Sequence, residues 1–227
     1  MRRDTDGDSD FNSLLAGSTD SASIESYYDN WAKTYDATLN DWDYHAPADA
    51  AATLWSHLKT GDNVLDVGCG TGMFAEAMSQ RLKCRIAGID ISAASLEIAG
   101  GKGLYERLQR CDLQSTPLPL GDNEFDAAAC VGVLTYIENA TDLLTDLCRI
   151  VRPGGYIVLT QRDDRWVEKD FDTLLASFQA RQLWSLPTVS EAMPYLPKNE
   201  DFGDSVKVIQ VLCQVLRCDR PSAFGGI

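Results

Sequence analysis

The sequence Val64-Leu65-Asp66-Val67-Gly68-Cys69-Gly70-Thr71-Gly72 decides the fold. Its first four residues are mostly apolar and β-branched, which is typical of a short buried strand. The three alternating glycines that follow predict a tight turn, because glycine lets the backbone approach a ligand closely. In α/β folds a nucleotide-type ligand binds at such a turn, at the N-terminus of the next helix. We therefore expect a nucleotide-like cofactor here.

The glycine pattern alone is compatible with two cofactors. Gly70, Gly72 and Ala75 satisfy the G-x-G-x-x-A pattern of a dinucleotide site, and Asp90 follows about 20 residues later, as that pattern expects. Asp66 separates the two interpretations, because a carboxylate at the strand end repels a pyrophosphate. It attracts the ammonium and sulfonium groups of S-adenosylmethionine instead. Charge therefore favours S-adenosylmethionine over a nicotinamide dinucleotide.

Two more carboxylates follow predicted strands. In Gly88-Ile89-Asp90-Ile91-Ser92, the Asp90 carboxylate can accept hydrogen bonds from both hydroxyls of a ribose. In Cys111-Asp112-Leu113, Asp112 can accept from the exocyclic amine of adenine while Leu113 packs on the ring. The three strand ends together predict a site for an adenosine-containing cofactor.

The chain beyond residue 61 alternates short apolar runs with helical patterns, which predicts parallel strands covered by helices. Pro153-Gly154-Gly155 is expected to end one helix and turn the chain into the next strand. The β-rich run 206–216 predicts a last, antiparallel strand at one edge of the sheet. The predicted strands before it are 63–67, 85–90, 108–113, 125–131 and 156–160, and the predicted helices are 73–81, 93–99 and 141–151.

Composition narrows the partners and the compartment. The formal net charge of -14 disfavours nucleic acid, whose binding needs clustered Lys and Arg. No apolar run approaches the roughly 20 residues of a membrane helix. The seven cysteines are odd in number and never spaced as C-x-x-C, so neither a disulfide framework nor a metal site is indicated. We predict a cytoplasmic protein that acts on a small molecule and binds no membrane; its oligomeric state stays open.

The N-terminal region divides into a tail and a helical segment. Residues 1–22 are rich in Asp and Ser, which predicts a disordered tail. Residues 23–227 are predicted to form a single domain, with a helical lid at about 23–60. A second helix within that lid is expected to begin at Pro47, a favourable first-turn residue.

Aromatic residues mark one face of the first helix. A step of three residues separates Tyr28 from Trp31, and steps of four separate Tyr27 from Trp31 and Trp31 from Tyr35. This spacing places most of these rings on one side of a helix. Two interpretations are equally open. The face packs on the core, or it closes over the cofactor, where aromatic rings attract a sulfonium and exclude water.

These motifs resemble those of the class I S-adenosylmethionine-dependent methyltransferases. The resemblance covers roughly residues 23–217 and rests on D-x-G-x-G-x-G at Asp66, G-I-D-I-S at Gly88 and P-G-G at Pro153. Shorter matches resemble, more narrowly, the Williams–Beuren-region methyltransferase-like family. They are Tyr28-Asp29-Asn30-Trp31-Ala32, Tyr35-Asp36, Gly103-Leu104-Tyr105-Glu106-Arg107-Leu108, Val131-Gly132-Val133-Leu134 and Leu159-Thr160-Gln161-Arg162.

The resemblance implies a Rossmann-like α/β fold: a seven-stranded, mostly parallel sheet with an antiparallel last strand and helices on both faces. It also implies S-adenosylmethionine as cofactor and S-adenosylhomocysteine as product. Together with the strand-end reasoning it predicts these cofactor-binding residues: Tyr35, Asp66, Gly68, Cys69, Gly70, Thr71, Gly72, Met73, Asp90, Ile91, Cys111, Asp112, Leu113, Val131 and Gly132.

The predicted reaction is methyl transfer to a small-molecule acceptor. Displacement at a sulfonium needs alignment and exclusion of water more than a base, so no catalytic residue is assigned. Two other functions stay open: a protein that binds S-adenosylmethionine for regulation, partnership or a non-methylating reaction, and, less favoured, a nicotinamide oxidoreductase. The candidates for shaping the acceptor pocket are Tyr28, Trp31, Tyr44, His45, Tyr136 and Arg162.

Overall fold

The structure is a computed structural model and describes residues 18–203 and 205–216. Most of the predicted tail, residues 1–17, lies outside the described residues. The helices are α1 (Ser21–Asp41), α2 (Ala46–Leu54), α3 (Met73–Ser79), α4 (Ala93–Gly101), α5 (Ala140–Ile150), α6 (Asp163–Glu168) and α7 (Phe171–Ala180), with 3₁₀ turns at Trp55–His57 and Leu134–Tyr136. The strands are β1 (Asn63–Val67), β2 (Arg85–Asp90), β3 (Arg107–Arg110), β4 (Phe125–Cys130), β5 (Val151–Arg162), β6 (Thr188–Val189), β7 (Met193–Pro194) and β8 (Lys207–Gln214).

All eight strands belong to one mixed sheet in the order β3-β2-β1-β4-β5-β8-β6, and β7 also pairs with β8. Strands β1 to β5 are parallel to their neighbours, whereas β8 runs antiparallel to β5. The predicted fold class, with its antiparallel last strand, is confirmed. The sheet has eight strands where seven were expected, and the last strand is not at the edge, because β6 and β7 pair along β8. Each has two residues, too few to show a periodic pattern in the sequence.

The two faces of the sheet pack against different helices. Leu65 and Val67 of β1 belong to a core that includes α5 and α7. Val64 belongs to a second core that includes α2 and α3. Because side chains alternate along a strand, Asp66 points to the same face as Val64. The carboxylate therefore lies on the side of the sheet that α2 and α3 cover.

The junction between α5 and β5 differs from the expected one. Strand β5 begins at Val151 and contains the Pro153-Gly154-Gly155 segment, which we expected to precede the strand. The register shifts between Phe125 and Ala127 of β4, so this part of the ladder is irregular. At Gly155 a Cβ would lie 2.4 Å from the carbonyl oxygen of Asp126. Glycine is required there because the two backbones approach so closely.

The N-terminal helices agree with the sequence prediction at one start and differ from it at the other. Helix α1 begins at Ser21, inside the predicted tail, because Asp20 caps it by accepting a hydrogen bond from the amide of Ser23 at 2.8 Å. Helix α2 has Pro47 in its first turn, as predicted, and ends at Leu54. Helices α6 and α7 were not predicted. Among the described helices, none is long and apolar enough to cross a lipid bilayer.

Candidate cofactor and acceptor site

A cleft lies at the carboxyl ends of β1 to β4, and its volume is about 670 Å³ when the space at its open mouth is included. Its size falls in the usual range for small-molecule sites. Helix α1 forms the opposite wall. The lining includes Ile24, Tyr28, Tyr35, Gly68, Gly70, Asp90, Ile91, Asp112, Leu113, Val131, Gly132 and Tyr136.

The glycine turn forms one end of this cleft. Gly68, Gly70 and Gly72 have φ angles of 66°, 51° and 96°, a region that other residues rarely adopt. The amides of Gly68 and Cys69 both donate to the carbonyl of Ile89, at 2.8 and 3.0 Å. The turn is thereby tied to β2, and its backbone faces the cleft.

Asp90 holds the turn in place from the end of β2. Its carboxylate accepts hydrogen bonds from the amide of Gly70 at 2.7 Å and from the amide of Ser92 at 2.8 Å. Burial raises the pKa of Asp90, and these two amides oppose that rise by stabilising the charged form. Each carboxylate oxygen has two lone pairs, so both retain capacity for a ligand hydroxyl.

Asp66 is buried at the end of β1, with 2% of its surface exposed. The hydroxyl of Tyr105 donates to its Oδ2 at 2.6 Å. Burial raises the pKa of Asp66 to about 7; the nearby Asp90 adds to the rise and the bond from Tyr105 opposes it. Asp66 lines a second cavity of about 340 Å³, which shares Tyr35 and Gly68 with the cleft. A cation that bridges the two spaces would meet this carboxylate.

Asp112 lies at the far end of the cleft, beyond β3. Its Oδ2 accepts from the hydroxyl of Ser21 at 2.8 Å, and its Oδ1 accepts from the amide of Gln114 at 2.9 Å. The predicted adenine contact therefore shares its carboxylate with the first turn of α1. Sequence reasoning missed Ser21 because it assigned this residue to the tail.

Helix α1 is attached to the cofactor side of the sheet by two carboxylates. Asp29 accepts from the hydroxyl of Ser92 at 2.7 Å and from the amide of Ala94 at 3.1 Å, at the N-terminus of α4. Asp36 accepts from the hydroxyl of Thr71 in the glycine turn. Neither aspartate was singled out from the sequence, although both belong to the Tyr-Asp pairs quoted above. Their roles depend on where α1 lies.

The aromatic residues of α1 divide between two environments. Tyr27 and Trp31 pack with Leu39, and the same apolar cluster contains Phe202 and Val206. On the other side, Ile24 and Tyr28 line the cleft, and Tyr35 belongs to both environments because it packs in the apolar cluster and also lines the cleft. The helix thus has a packed face and a face toward the cleft. That it opens and closes as a lid stays a prediction.

The predicted acceptor residues are only partly brought together. Tyr28 and Tyr136 line the cleft with their ring centroids 5.9 Å apart. Tyr44 lines the second cavity, and its hydroxyl lies 3.0 Å from where a Cβ on Gly132 would be. Trp31 is outside both linings and packs on the ring of Tyr35 at 4.6 Å.

The two remaining acceptor candidates lie elsewhere. His45 is exposed and pairs with Asp43 at 3.2 Å, outside both linings. The loop leaves 66% of the His45 side chain exposed to solvent. Arg162 is buried, but its guanidinium engages Asp164 at 2.5 Å and lies 5.4 Å from the centre of the Phe202 ring. Arg162 therefore lies outside the lining of both cavities.

The predicted cofactor residues gather around the two cavities, with two exceptions. Gly72 caps α3, and Cys111 is buried beside Asp112. Cys69, Thr71 and Met73 line the second cavity with Asp66. Within residues 18–203 and 205–216, no three His, Cys, Asp or Glu side chains cluster as a metal site would require.

The residues present fit S-adenosylmethionine. Asp66, at the turn, suits the cationic groups, and Asp90, which faces the cleft beside it, suits a ribose. Between Asp90 and Asp112 the wall is apolar, as an adenine ring requires. A mostly parallel sheet with this arrangement at its carboxyl edge defines a Rossmann-like cofactor-binding protein.

Comparison with known proteins gives the family. Residues 65–159 match the model of a methyltransferase domain. The chain is 34% identical over 223 residues to the 2-phytyl-1,4-naphtoquinone methyltransferase of Synechocystis sp., covering 90% of each. It is 35% identical over 139 residues to human methyltransferase-like protein 27, over 60% of this chain and 56% of the human protein. The match thus spans little more than half of that relative.

A solved structure has the same fold. The S-adenosylmethionine-dependent methyltransferase of Thermotoga maritima, described as a possible histamine N-methyltransferase, superposes with a TM-score of 0.60 and 18% identity. The comparison covers 83% of this chain and 98% of the other. The chain belongs to the class I S-adenosylmethionine-dependent methyltransferases. It is an enzyme, and S-adenosylmethionine is its cofactor.

Proposed function

We propose that the protein methylates an apolar aromatic small molecule that carries oxygen substituents, of the quinol or phenol type. One observation carries this proposal: four phenol rings line the two cavities, and a fifth, outside both linings, packs on one of them. We call these five rings the tyrosine cluster, which consists of Tyr28, Tyr35, Tyr44, Tyr136 and Tyr195. The ring centroids of Tyr44 and Tyr195 lie 5.5 Å apart, and those of Tyr28 and Tyr35 lie 6.1 Å apart.

The tyrosine cluster offers flat apolar surface and neutral hydroxyls. Removal from water raises the pKa of Tyr136 to about 12 and the pKa values of Tyr28, Tyr35 and Tyr44 well above 10. These hydroxyls therefore stay protonated at neutral pH. A protonated phenol donates a hydrogen bond, which suits the oxygen of an acceptor. The rings would stack on or meet an aromatic acceptor at their edges.

Charge beside the tyrosine cluster favours an acceptor that becomes anionic. Burial raises the pKa values of Tyr136 and Tyr195, and the charge of Arg162 opposes that rise; Asp164, with which Arg162 is paired, adds to the rise at Tyr195. At Tyr136 the charge of Arg162 would likewise stabilise a phenolate oxygen and disfavour an ammonium. The Synechocystis relative is named for a naphthoquinone substrate, and this agrees with the aromatic, oxygen-bearing class.

In this proposal the chain's own residues align the acceptor and exclude water. S-adenosylmethionine supplies the activated methyl group. The hydroxyls of Tyr28 and Tyr136 hold the acceptor oxygen, and α1 covers the cleft from solvent. Exclusion of water strengthens these interactions because the local dielectric constant falls. No side chain needs to remove a proton from an acceptor that enters as a phenolate.

The test is incubation with methyl-labelled S-adenosylmethionine and a panel of acceptors, followed by mass spectrometry. The panel contains a prenylated naphthoquinol, a simple catechol, histamine and a long-chain fatty acid. We expect a labelled methyl on the quinol or catechol. Labelling of histamine or the fatty acid alone would contradict the acceptor class. Tight cofactor binding with no labelled product from the panel or from metabolite extracts would favour the regulatory alternative.

A matched pair of variants connects the product to the tyrosine cluster. Tyr136→Phe removes a hydroxyl at the cleft and should lower kcat/KM for the quinol about tenfold, roughly the value of one hydrogen bond to a charged group. Tyr156→Phe removes a hydroxyl from β5 outside both cavities, where Tyr156 packs on His57. It should leave kcat/KM unchanged. Equal effects of the two changes would contradict the acceptor role of Tyr136.

A further inference from the structure

Tyr105 lies in a connection between two elements, yet hydrogen bonds and core packing fix the position of its side chain. It lies between α4 and β3, and the amide of the next residue, Glu106, donates to the carbonyl of Ile86 in β2 at 2.8 Å. Its ring packs in the core formed by α2, α3 and β1. The hydroxyl at the end of that ring donates to Asp66 at 2.6 Å. A strand backbone therefore fixes the direction from which this donor reaches the carboxylate.

Two glycines leave the space that the ring occupies. A Cβ on Gly88, in the middle of β2, would lie 2.8 Å from Cε1 of Tyr105. A Cβ on Gly72, in the glycine turn, would lie 3.1 Å from Cε2 of the same ring. Glycine within a strand often marks such a close approach. Glycines of two cofactor motifs thus make room for the ring that covers Asp66.

Asp66 has few groups nearby that favour its charged form. Besides burial, Tyr105 from the connection and Asp90 from β2 act on its pKa, and Asp66 in turn acts on Cys69 of the turn and Cys130 of β4. Asp90 repels the charge. Burial and nearby carboxylates raise the pKa values of both thiols, so these remain neutral. Within this set, Tyr105 alone stabilises the carboxylate.

We propose that Tyr105 is a positioning residue for the cofactor: its hydroxyl keeps the buried Asp66 carboxylate ionised and oriented toward the cationic groups of S-adenosylmethionine. The proposal rests on the cofactor and not on the methyl acceptor. Without the hydroxyl, the pKa of Asp66 would rise further above its value of about 7. A protonated Asp66 attracts no ammonium, so the loss of affinity would grow as the solution becomes more acidic.

The test measures the dissociation constant of S-adenosylmethionine by calorimetry for wild type and Tyr105→Phe at pH 6, 7, 8 and 9. The cofactor's own amino group titrates near pH 8, but that effect cancels in the ratio of the two constants. We expect the ratio to be within about threefold of unity at pH 9 and to reach about tenfold at pH 6, the effect of a one-unit rise in the pKa of Asp66. A purely structural role would give a ratio independent of pH, which would overturn the proposal.

Tyr156→Phe is the matched control, because Tyr156 packs against the same core as Tyr105. The dissociation constant of S-adenosylmethionine for this variant, divided by that for wild type, should be close to one at every pH. The ¹³C chemical shift of the Asp66 carboxyl gives a second readout, in ligand-free protein. It should titrate near pH 7 in wild type and at higher pH in Tyr105→Phe. Identical titrations would overturn the proposal whether or not the enzyme methylates any member of the acceptor panel.

Discussion

The hydroxyl of Thr71, in the glycine turn, donates a hydrogen bond to the carboxylate of Asp36 on helix α1. The same carboxylate accepts from the ammonium of Lys102 at 2.7 Å, just beyond the end of α4. Asp36 therefore joins the cofactor turn, the covering helix and the element after β2. Its position makes the closure of α1 testable by single substitutions.

Asp36→Ala should loosen α1 and speed release of the cofactor. The change removes a hydrogen bond to Thr71 and an ion pair with Lys102. We expect the dissociation rate of S-adenosylmethionine to rise about tenfold, the equivalent of one charge-assisted bond. Stopped-flow displacement measures that rate, and hydrogen exchange reports on the amides of α1. Asp41→Ala, at the exposed end of the same helix, is the control. Unaltered exchange in α1 would show that this contact does not hold the helix.

Asp90→Ala should weaken cofactor binding at least tenfold. The carboxylate holds the amides of Gly70 and Ser92 and faces the cleft, so its loss removes both a ligand contact and the support of the turn. The expected loss corresponds to about 1.4 kcal/mol. Calorimetric titration with S-adenosylmethionine measures it. Glu97→Ala removes an exposed carboxylate from neighbouring α4 and should leave the affinity for S-adenosylmethionine unchanged. Comparable losses of affinity in the two variants would mean that the net charge of the protein, and not Asp90, governs binding.

Gly88→Ala should destabilise the fold by about 1 to 3 kcal/mol, the usual cost of overpacking. The new methyl group would lie 2.7 Å from Cδ2 of Leu108 and 2.8 Å from both Cys69 and Tyr105. Gly101→Ala is the matched control because a Cβ there meets no atom within 4 Å. Replacing glycine at such a helical position should stabilise slightly. Urea denaturation gives both values, and similar free energies of unfolding for the two variants would refute the steric account.

Stability of the ligand-free protein should fall between pH 5 and pH 7. Folded Asp66 keeps its proton up to about pH 7, whereas an unfolded aspartic acid loses it near pH 3.9. The folded state therefore binds more protons within this window, and raising the pH favours unfolding. Asp66 alone should account for about 2 kcal/mol over these two pH units.

Asp66→Asn isolates that contribution, because an amide does not titrate. The free energy of unfolding of Asp66→Asn should change by about 2 kcal/mol less than that of wild type between pH 5 and pH 7. The pKa of Asp90 is also raised, so any contribution of Asp90 to the pH dependence has the same sign. Parallel pH profiles for wild type and Asp66→Asn would mean that Asp66 titrates at an ordinary pH.

The sequence identified the parts of the site that depend on short stretches of chain. The bounds of β1 and β2 were predicted without error, and Asp66 and Asp90 follow from them. Asp112 lies at the cleft as expected, although β3 ends at Arg110 and not at residue 113. These features are local because a strand, its turn and its terminal carboxylate are consecutive in sequence.

The remaining contacts join distant segments, and no local pattern encodes them. Ser21 reaches Asp112 across 91 residues, and Asp29 reaches Ser92 across 63. Tyr105 meets Asp66 only because the sheet places β2 beside β1. His45 was selected for its chemistry, yet its loop carries it into solvent. Predicting such pairs requires knowing where α1 packs, which is a property of the whole fold.

Helix α1 is attached at both ends of the cleft, through Ser21 to Asp112 and through Asp36 to Thr71. A helix of 21 residues is a stiff rod about 30 Å long. Asp29 attaches the same rod to Ser92 between these two points, so the helix leaves the cleft only when all three attachments break together. We therefore expect cofactor exchange to be all-or-none and not a gradual widening of the cleft.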